Sequence, residues 1–286
     1  PAAAAQLSTC LLGFVVVLLA LERANRGRAA YHGVAPGRAR AHPLRGGAAA
    51  LAFLACAAPV FFGFLLPALL LGMLAWQQGG GRIGRFFSLT ANSFSIAALT
   101  ALIAIVIALV MAYAARLTRS RIVASANRLA GLGYAIPGAV IAVGVLVPLG
   151  RFDNLLAGWL EQAFGVKVGL LLTGTIAALV YAYLVRLLAV ALQTTDAGLA
   201  KITPSMEYAA RSLGASPGST LARVHVPLLA PSLATAALLV FVDVLKELPA
   251  TFALRPFNFD TLAVEAYNLA KDERLAEAAA PSLAII

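Results

Sequence analysis

Long apolar segments most strongly restrict what this chain can fold into. Six of them have about the 20 mostly apolar residues that a helix needs to cross a bilayer: 2–21, 48–76, 93–115, 129–149, 168–192 and 228–248. A seventh begins near Ala278 and is cut short at Ile286. They do not alternate between apolar and polar residues, as the strands of a membrane barrel would. The predicted fold class is therefore all-α: a polytopic transmembrane helix bundle with about six spans plus a truncated seventh.

The composition leaves little room for a soluble domain. Of the 286 residues, 61% are hydrophobic and 12% are charged, against roughly 45–50% and about 25% in soluble domains. The first segment does not resemble a signal peptide because no basic residue precedes it. Since the chain lacks an initiator Met, we expect it to be part of a longer polypeptide. Cys10 and Cys56 lie within apolar segments, so we expect buried thiols rather than a disulfide or a zinc site.

The basic residues are concentrated in alternate loops. Six arginines lie between the first and second apolar segments, four lie between the third and fourth, and Lys201, Arg211 and Arg223 follow the fifth. Because lysine and arginine accumulate on the cytoplasmic side, these three loops are predicted to face inward. The net charge of +10 is thus explained by the basic loops that orient the chain in the membrane. No nucleic-acid partner is predicted.

A polar stretch from Glu207 to Pro227 separates the fifth and sixth apolar segments. Helix-forming residues from Met206 to Leu213 predict a short helix that Gly214 ends. Ser216-Pro217 predicts the start of a second short helix, which runs to Val226. Residue types alone leave two interpretations open, a docking site for a cytoplasmic partner or a hairpin that lies on the membrane surface without a partner.

The spacing within this stretch resembles the EAA loop of binding-protein-dependent ABC importer permeases. That loop has the form EAA, three residues, G, nine residues, I, any residue, L and P. Here Ala209-Ala210 is followed by Gly214 and then by Val224-His225-Val226-Pro227, while Tyr208 stands at the family's glutamate and Glu207 precedes it. The resemblance implies contact with an ATPase through seven residues: Glu207, Tyr208, Ala209, Ala210, Gly214, Val224 and Pro227.

The resemblance also implies a division of labour between subunits. An ABC importer type I permease-like chain is a transport subunit and not an enzyme, and a separate dimer of ATP-binding subunits hydrolyses ATP. Residues 214–220 lack the lysine and spacing of a phosphate-binding GxxxxGK[ST] loop. No cofactor is expected on this chain, with ATP and Mg on the partner.

Three charged residues, Asp243, Lys246 and Glu247, interrupt the sixth apolar segment before Pro249. Charges within a membrane are costly, so they face the bundle interior or water. Spacings of three and four residues place them on one face, where Lys246 can neutralise a carboxylate. An internal ion pair and a gate or lining of the translocation path are both open interpretations.

Two further features lie in the fourth and fifth segments. Pro137-Gly138 is expected to kink or locally unwind the fourth helix, either as a gating hinge or as an irregularity of packing. Arg186 is expected near the inner end of the fifth helix. Its long side chain is predicted to snorkel to the interface rather than contact substrate.

Three segments look like ferric iron importer permeases: 243–281, 133–138 and 181–190. Those permeases carry two homologous halves in one polypeptide, and this chain is similar to the second half. The domain expectation is that residues 1–46 are the last helix of a preceding half and an Arg-rich linker. Residues 47–286 are then the permease domain, with a cytoplasmic coupling loop at 194–227. The other permease half is an expected partner.

The predicted function is therefore import of ferric iron, delivered by a periplasmic or extracellular binding protein, across the bacterial inner (plasma) membrane. The metal ligands are unknown, because the histidines lie in or beside loops predicted to be cytoplasmic. Asp260, Glu265 and Tyr267 lie in a predicted outer loop, either as a solvated face or as contacts for the binding protein. Other possibilities are a permease for thiamine, sulfate or polyamine, or an ion-driven transporter that uses Asp243 and Glu247 as proton carriers.

Overall fold

The computed structural model describes residues 44–77, 83–118, 120–166 and 169–286, together with Gly13, Phe14, Val17 and Leu21. The predicted first span and most of the Arg-rich linker lie outside the described residues. From residue 44 onward the described residues form ten helices, besides one 3-10 turn: α1 Gly47–Gln77, α2 Ile83–Leu117, α3 Arg121–Ala130, α4 Gly138–Phe164, α5 Ile176–Leu199, α6 Pro204–Ser212, α7 Pro217–Leu245, α8 Pro249–Leu254, α9 Leu262–Lys271 and α10 Leu275–Ile285.

Five of these helices are long and apolar enough to cross a membrane, namely α1, α2, α4, α5 and α7. Each corresponds to one of the predicted second to sixth segments, and α10 corresponds to the short seventh. The prediction of an all-α bundle of membrane helices is confirmed for the described residues.

The predicted boundaries of the fourth span are wrong. Its helix is α4, Gly138–Phe164, rather than 129–149. Residues 129–137 are apolar, but two glycines and Pro137 interrupt them, so α3 ends at Ala130 and a single 3-10 turn follows at Gly133–Ala135. Hydropathy alone did not register this break.

The third and fifth spans also begin elsewhere than predicted. Helix α2 starts ten residues early, at Ile83, and therefore includes Arg85. Helix α5 starts late, at Ile176. The preceding backbone is held by Asp153, whose buried carboxylate accepts hydrogen bonds from the backbone N–H groups of Leu171, Leu172 and Thr173 at 2.6–3.0 Å.

The chain divides into two compact units, 1–81 with 269–284 and 286, and 82–268 with 285. In the first unit, α1 contains a π turn at Phe61–Leu65, just after Pro59, and none of its residues is buried. Cys56 is exposed, so the expectation of a buried thiol there is wrong. An unburied apolar helix is suited to contact with lipid.

The core of the second unit lies where α2, α5 and α7 pack against one another. Alanines at intervals of three and four residues form one buried face of α2: Ala97, Ala101, Ala104, Ala108 and Ala112. Small residues at this spacing allow helix backbones to approach closely, which is how membrane helices gain packing contacts. At Gly198 of α5 an added Cβ would lie 2.7 Å from Ser232 Oγ of α7.

Candidate functional site

The polar stretch between α5 and α7 has the predicted helix–turn–helix form. Helix α6 ends at Ser212, and Gly214 follows with φ +81°. The Gly214 N–H donates to Arg211 O at 2.9 Å, and the Ala215 N–H donates to Ala210 O at 3.1 Å, which is the Schellman arrangement. Ser216 then caps the next helix by accepting a hydrogen bond from the Ser219 N–H at 3.3 Å.

The second helix is not the separate short helix that was predicted. From Pro217 it passes through a π turn at Leu221–His225 and continues to Leu245 as α7. Val224 lies in the π turn, and Pro227 is exposed beyond it. Neither proline ends the helix. Pro217 stands in the first turn, where a backbone N–H has no partner within the helix. Pro227 follows the π turn, where the regular pattern of backbone hydrogen bonds is already interrupted. The polar stretch is thus continuous with a membrane helix.

Glu207 faces the protein rather than solvent. Its Oε2 accepts a hydrogen bond from Arg116 Nε at 3.2 Å, and its Oε1 accepts one from Arg211 Nη2 at 2.9 Å. Arg116, in the last turn of α2, also donates to the backbone oxygens of Leu199 and Ile202, at 2.8 Å each. Arg116 therefore fastens α6 to the ends of α2 and α5. The sequence offered Arg116 only as one of several basic loop residues.

The polar stretch exposes several apolar side chains. Leu213 is 88% exposed and Tyr208 is 65% exposed. Ala209 is also exposed, and Ala210 is half-buried. A Cβ added at Gly214 would meet no atom of the described chain within 4 Å. We name Met206, Tyr208, Ala209, Leu213 and Gly214 the coupling surface.

His225 is fully buried at the root of this stretch, rather than in or beside a solvated loop. Its ring lies 5.2 Å from that of Tyr113, centroid to centroid. The Tyr113 hydroxyl donates to Pro217 O at 2.9 Å. Neither ring nitrogen of His225 has a hydrogen-bond partner in the part of the chain that the structure describes.

The three charged residues at the other end of α7 divide between two ion pairs. Asp243 Oδ1 lies 2.8 Å from Lys246 Nζ. Glu247 pairs instead with Arg186 of α5. Arg186 is therefore not the predicted snorkelling anchor: α5 continues to Leu199, which puts Arg186 about 20 Å from the inner helix end at 1.5 Å per residue.

Pro137 and Gly138 stand at the start of α4 rather than within a helix. Pro137 has φ −56° and ψ 137°, so the predicted kink is a helix beginning, a position that suits proline because its missing N–H is not needed there. A Cβ at Gly138 would lie 2.5 Å from Glu247 Oε1 and 2.7 Å from Arg186 Nη1. The structure therefore brings Gly138 and Glu247 together and adds Arg186, while Asp243 and Lys246 pair with each other.

The predicted outer-loop residues form a structural network. Glu265 is buried on α9 and lies 2.7 Å from Arg85 Nη2. Asp260 pairs with Arg255, and its backbone oxygen accepts a hydrogen bond from Asn92 at 3.1 Å. Tyr267 packs its ring against Phe252. The prediction that Glu265 lies on a solvated loop face is thus wrong, because the early start of α2 brings Arg85 into position as its partner.

The family profile described as "Binding-protein-dependent transport system inner membrane component" matches residues 104–254. The chain belongs to this family. The matched region of this inner membrane component runs from mid-α2 through the polar stretch to the end of α8, so it includes both the coupling surface and the Arg186–Glu247 pair.

Individual relatives transport different cargoes. The component is 30% identical over 209 residues to "Fe(3+)-transport system permease protein FbpB 2" of Haemophilus influenzae, covering 73% of this chain and 38% of the relative. It is 30% identical over 164 residues to "Trehalose transport system permease protein SugB" of Mycobacterium tuberculosis, covering 57% of this chain and 53% of the relative. The chain thus spans between about a third and a half of these relatives.

The fold is shared with a solved transporter. A chain in the crystal structure of a bacterial alginate ABC transporter, in complex with an alginate-bound periplasmic protein, superposes with a TM-score of 0.61 at 16% identity. The match covers 83% of this component and 88% of that chain. The two chains therefore share their fold.

Proposed function

We propose that this chain is the membrane-spanning part of an ATP-driven importer, and that its coupling surface docks on a separate ATP-hydrolysing subunit. The observation that carries the proposal is the exposure of Tyr208 and Leu213 on a short polar helix. Large apolar side chains on a polar face are typical of a protein interface. Ala209 and Gly214 add no bulk to this surface, so a partner backbone can approach closely.

The anchoring of α6 supports transmission of force. Arg116 joins α6 to α2 and α5 through Glu207 and two backbone oxygens. The other end of the polar stretch continues without a break into α7, while Tyr113 ties Pro217 back to α2. A push on the coupling surface therefore reaches all three helices that form the core.

ATP and Mg²⁺ bind to the partner subunits in this proposal, and this chain performs no covalent chemistry. The partners are a dimer of ATP-binding subunits, a periplasmic or extracellular binding protein, and a homologous permease half in the same full-length polypeptide. The expected location is the bacterial inner membrane, in contact with lipid. Within the transport path we place Pro137, Gly138, Asp243, Lys246 and Glu247.

Ferric iron is the proposed cargo. The support is the similarity to the Fe(3+)-transport permease, which extends over more of this chain than the similarity to the trehalose permease. The residues that the structure describes contain no group of three or more His, Cys, Asp or Glu placed to hold a metal ion. We therefore assign recognition of the metal to the binding protein.

The test is to express the full-length polypeptide together with its ATP-binding subunit. We expect the ATPase to co-purify with the wild type and to be lost when Tyr208 and Leu213 are both replaced by aspartate. Cells should accumulate radioactive ferric iron in an ATP-dependent way. Uptake of trehalose instead would overturn the cargo, and iron uptake abolished by a protonophore at normal ATP would overturn the mechanism.

A further inference from the structure

We infer that Arg186 holds the transport path in its resting conformation, by pairing with Glu247 as a latch between α5 and the break that separates α7 from α8. This inference rests on the proposed function and assigns to it a residue outside the predicted path. We name the Arg186–Glu247 pair the latch.

The first argument is the position of Arg186 within its helix. At 1.5 Å per residue it lies about 15 Å from the start of α5 and about 20 Å from its end. An arginine this deep in an apolar span is costly unless it has a partner. The Glu247 carboxylate is that partner, so opening the latch leaves two opposite charges to be satisfied by something else.

The second argument is that Glu247 organises the break after α7. Its Oε1 accepts a hydrogen bond from the Ala250 N–H at 3.4 Å, at the start of α8. Its backbone oxygen accepts a hydrogen bond from the Thr251 hydroxyl. Thr251 in turn lies 2.6 Å from the Tyr183 hydroxyl, three residues before Arg186 on α5. The break is therefore attached to α5 at two points on one helix face.

The third argument is the close approach of α4. At Gly138 an added Cβ would come within 2.5 Å of Glu247 Oε1 and 2.7 Å of Arg186 Nη1. Both atoms belong to side chains whose ionic bond would be disturbed by the extra carbon. Three membrane segments, α4, α5 and the α7–α8 break, thus meet at one ion pair.

The neighbouring ion pair has a different character. Asp243 lies on α7, and Lys246, three residues further on, directly follows the last residue of that helix. The Lys246 side chain is 60% exposed, against 7% for Glu247. A pair at the end of one helix cannot hold two helices together. The latch, unlike that pair, joins α5 to the end of α7 and can therefore respond to movement of α7 relative to α5.

A closed latch satisfies both charges without cargo, so we assign it to the resting state. Breaking it lowers the stability of that state and shifts the population toward the conformation in which the ATPase works. The expected sign is a rise in ATP hydrolysis without binding protein. The expected size is about fivefold or more, the lower end of the usual coupling between two sites.

The experiment uses the full-length polypeptide in complex with its ATPase in nanodiscs, without binding protein. R186Q and E247Q should each raise basal ATP hydrolysis, and the exchange R186E/E247R should return most of the increase. A return of basal hydrolysis toward the wild-type rate in R186E/E247R would show that the two residues act as a pair, since the effects of two independent structural defects would add together. R151Q, which removes an arginine from α4 away from the latch, should match the wild type.

Basal hydrolysis at the wild-type level in R186Q and E247Q would overturn the latch, as would an exchange variant no better than the single variants. If R186Q does not reach the membrane, E247Q decides by the same criterion, because glutamine keeps the shape of the side chain. A wild type that retains no ATPase would refute the proposed function and the latch together. A wild type that couples normally beside an unchanged E247Q would refute the latch alone.

Discussion

Replacing Arg116 with glutamine should detach α6 from the membrane helices. The guanidinium makes three hydrogen bonds, one to Glu207 and one each to the backbone oxygens of Leu199 and Ile202. Hydrogen bonds to charged groups contribute about 1.5–3 kcal/mol each when buried. Because water can replace part of this at the end of a helix bundle, we expect a net loss of about 2–4 kcal/mol in the local stability of α6.

Arg211 provides the matched control. It bonds to the other oxygen of the same carboxylate, but its side chain is 46% exposed and lies four residues away on the same helix. Such exposed pairs contribute about 0.3–0.5 kcal/mol. R116Q and R211Q thus each remove one positive charge that lies beside Glu207. Only R116Q also removes the hydrogen bonds to the backbone oxygens of Leu199 and Ile202.

The assay is hydrogen exchange of the α6 backbone amides in nanodiscs, followed by mass spectrometry. A loss of 2 kcal/mol corresponds to a rise in the opening equilibrium of roughly thirtyfold, at about tenfold per 1.4 kcal/mol. R211Q should change exchange by about twofold, from the smaller energy of an exposed pair. Equal effects of R116Q and R211Q would refute the anchoring role, since they would show that only the charge beside Glu207 matters.

Three further predictions concern the coupling loop, the loop before α5 and the buried histidine. Gly214→Asp should leave the protein inserted but uncouple ATP hydrolysis from transport; Gly214→Asn, which tolerates positive φ, should uncouple it too, and normal transport by either variant would exclude close contact there. Asp153→Ala removes the acceptor of three backbone N–H groups. The loss of about 1.4 kcal/mol or more of local stability should make an added protease cleave residues 169–175 at least tenfold faster. Asn154→Ala, which changes an exposed neighbour, should leave the cleavage rate unchanged. His225→Phe keeps the ring against Tyr113 and removes two nitrogens that have no hydrogen-bond partner among the described residues. The thermal midpoint should therefore stay the same or rise, and a clear fall would show that the histidine forms a hydrogen bond.

Much of the coupling loop was predictable because its signals are local. Gly214 and Ser216-Pro217 mark a helix end and a helix start through their own backbone preferences, and the structure has both. The continuation into α7 was missed because Pro227 suggests an interruption, while a π turn accommodates it. The start of α4 was missed because the apolar segment continues on both sides of Pro137, so the proline was interpreted as a kink within one helix rather than as the beginning of a new one.

The amino-acid sequence by itself determined that the chain is an all-helical membrane protein, and that a helix end and a helix start follow one another between the fifth and sixth apolar segments. Hydrophobic transfer and capping depend on residues within one segment, so they can be evaluated without knowing the neighbours. Only the tertiary structure decided the partners of the charges. Glu207 meets Arg116 from 91 residues away, and Glu247 meets Arg186 from 61 residues away. Which opposite charge compensates a buried one depends on which helices pack together, and that is a property of the whole bundle.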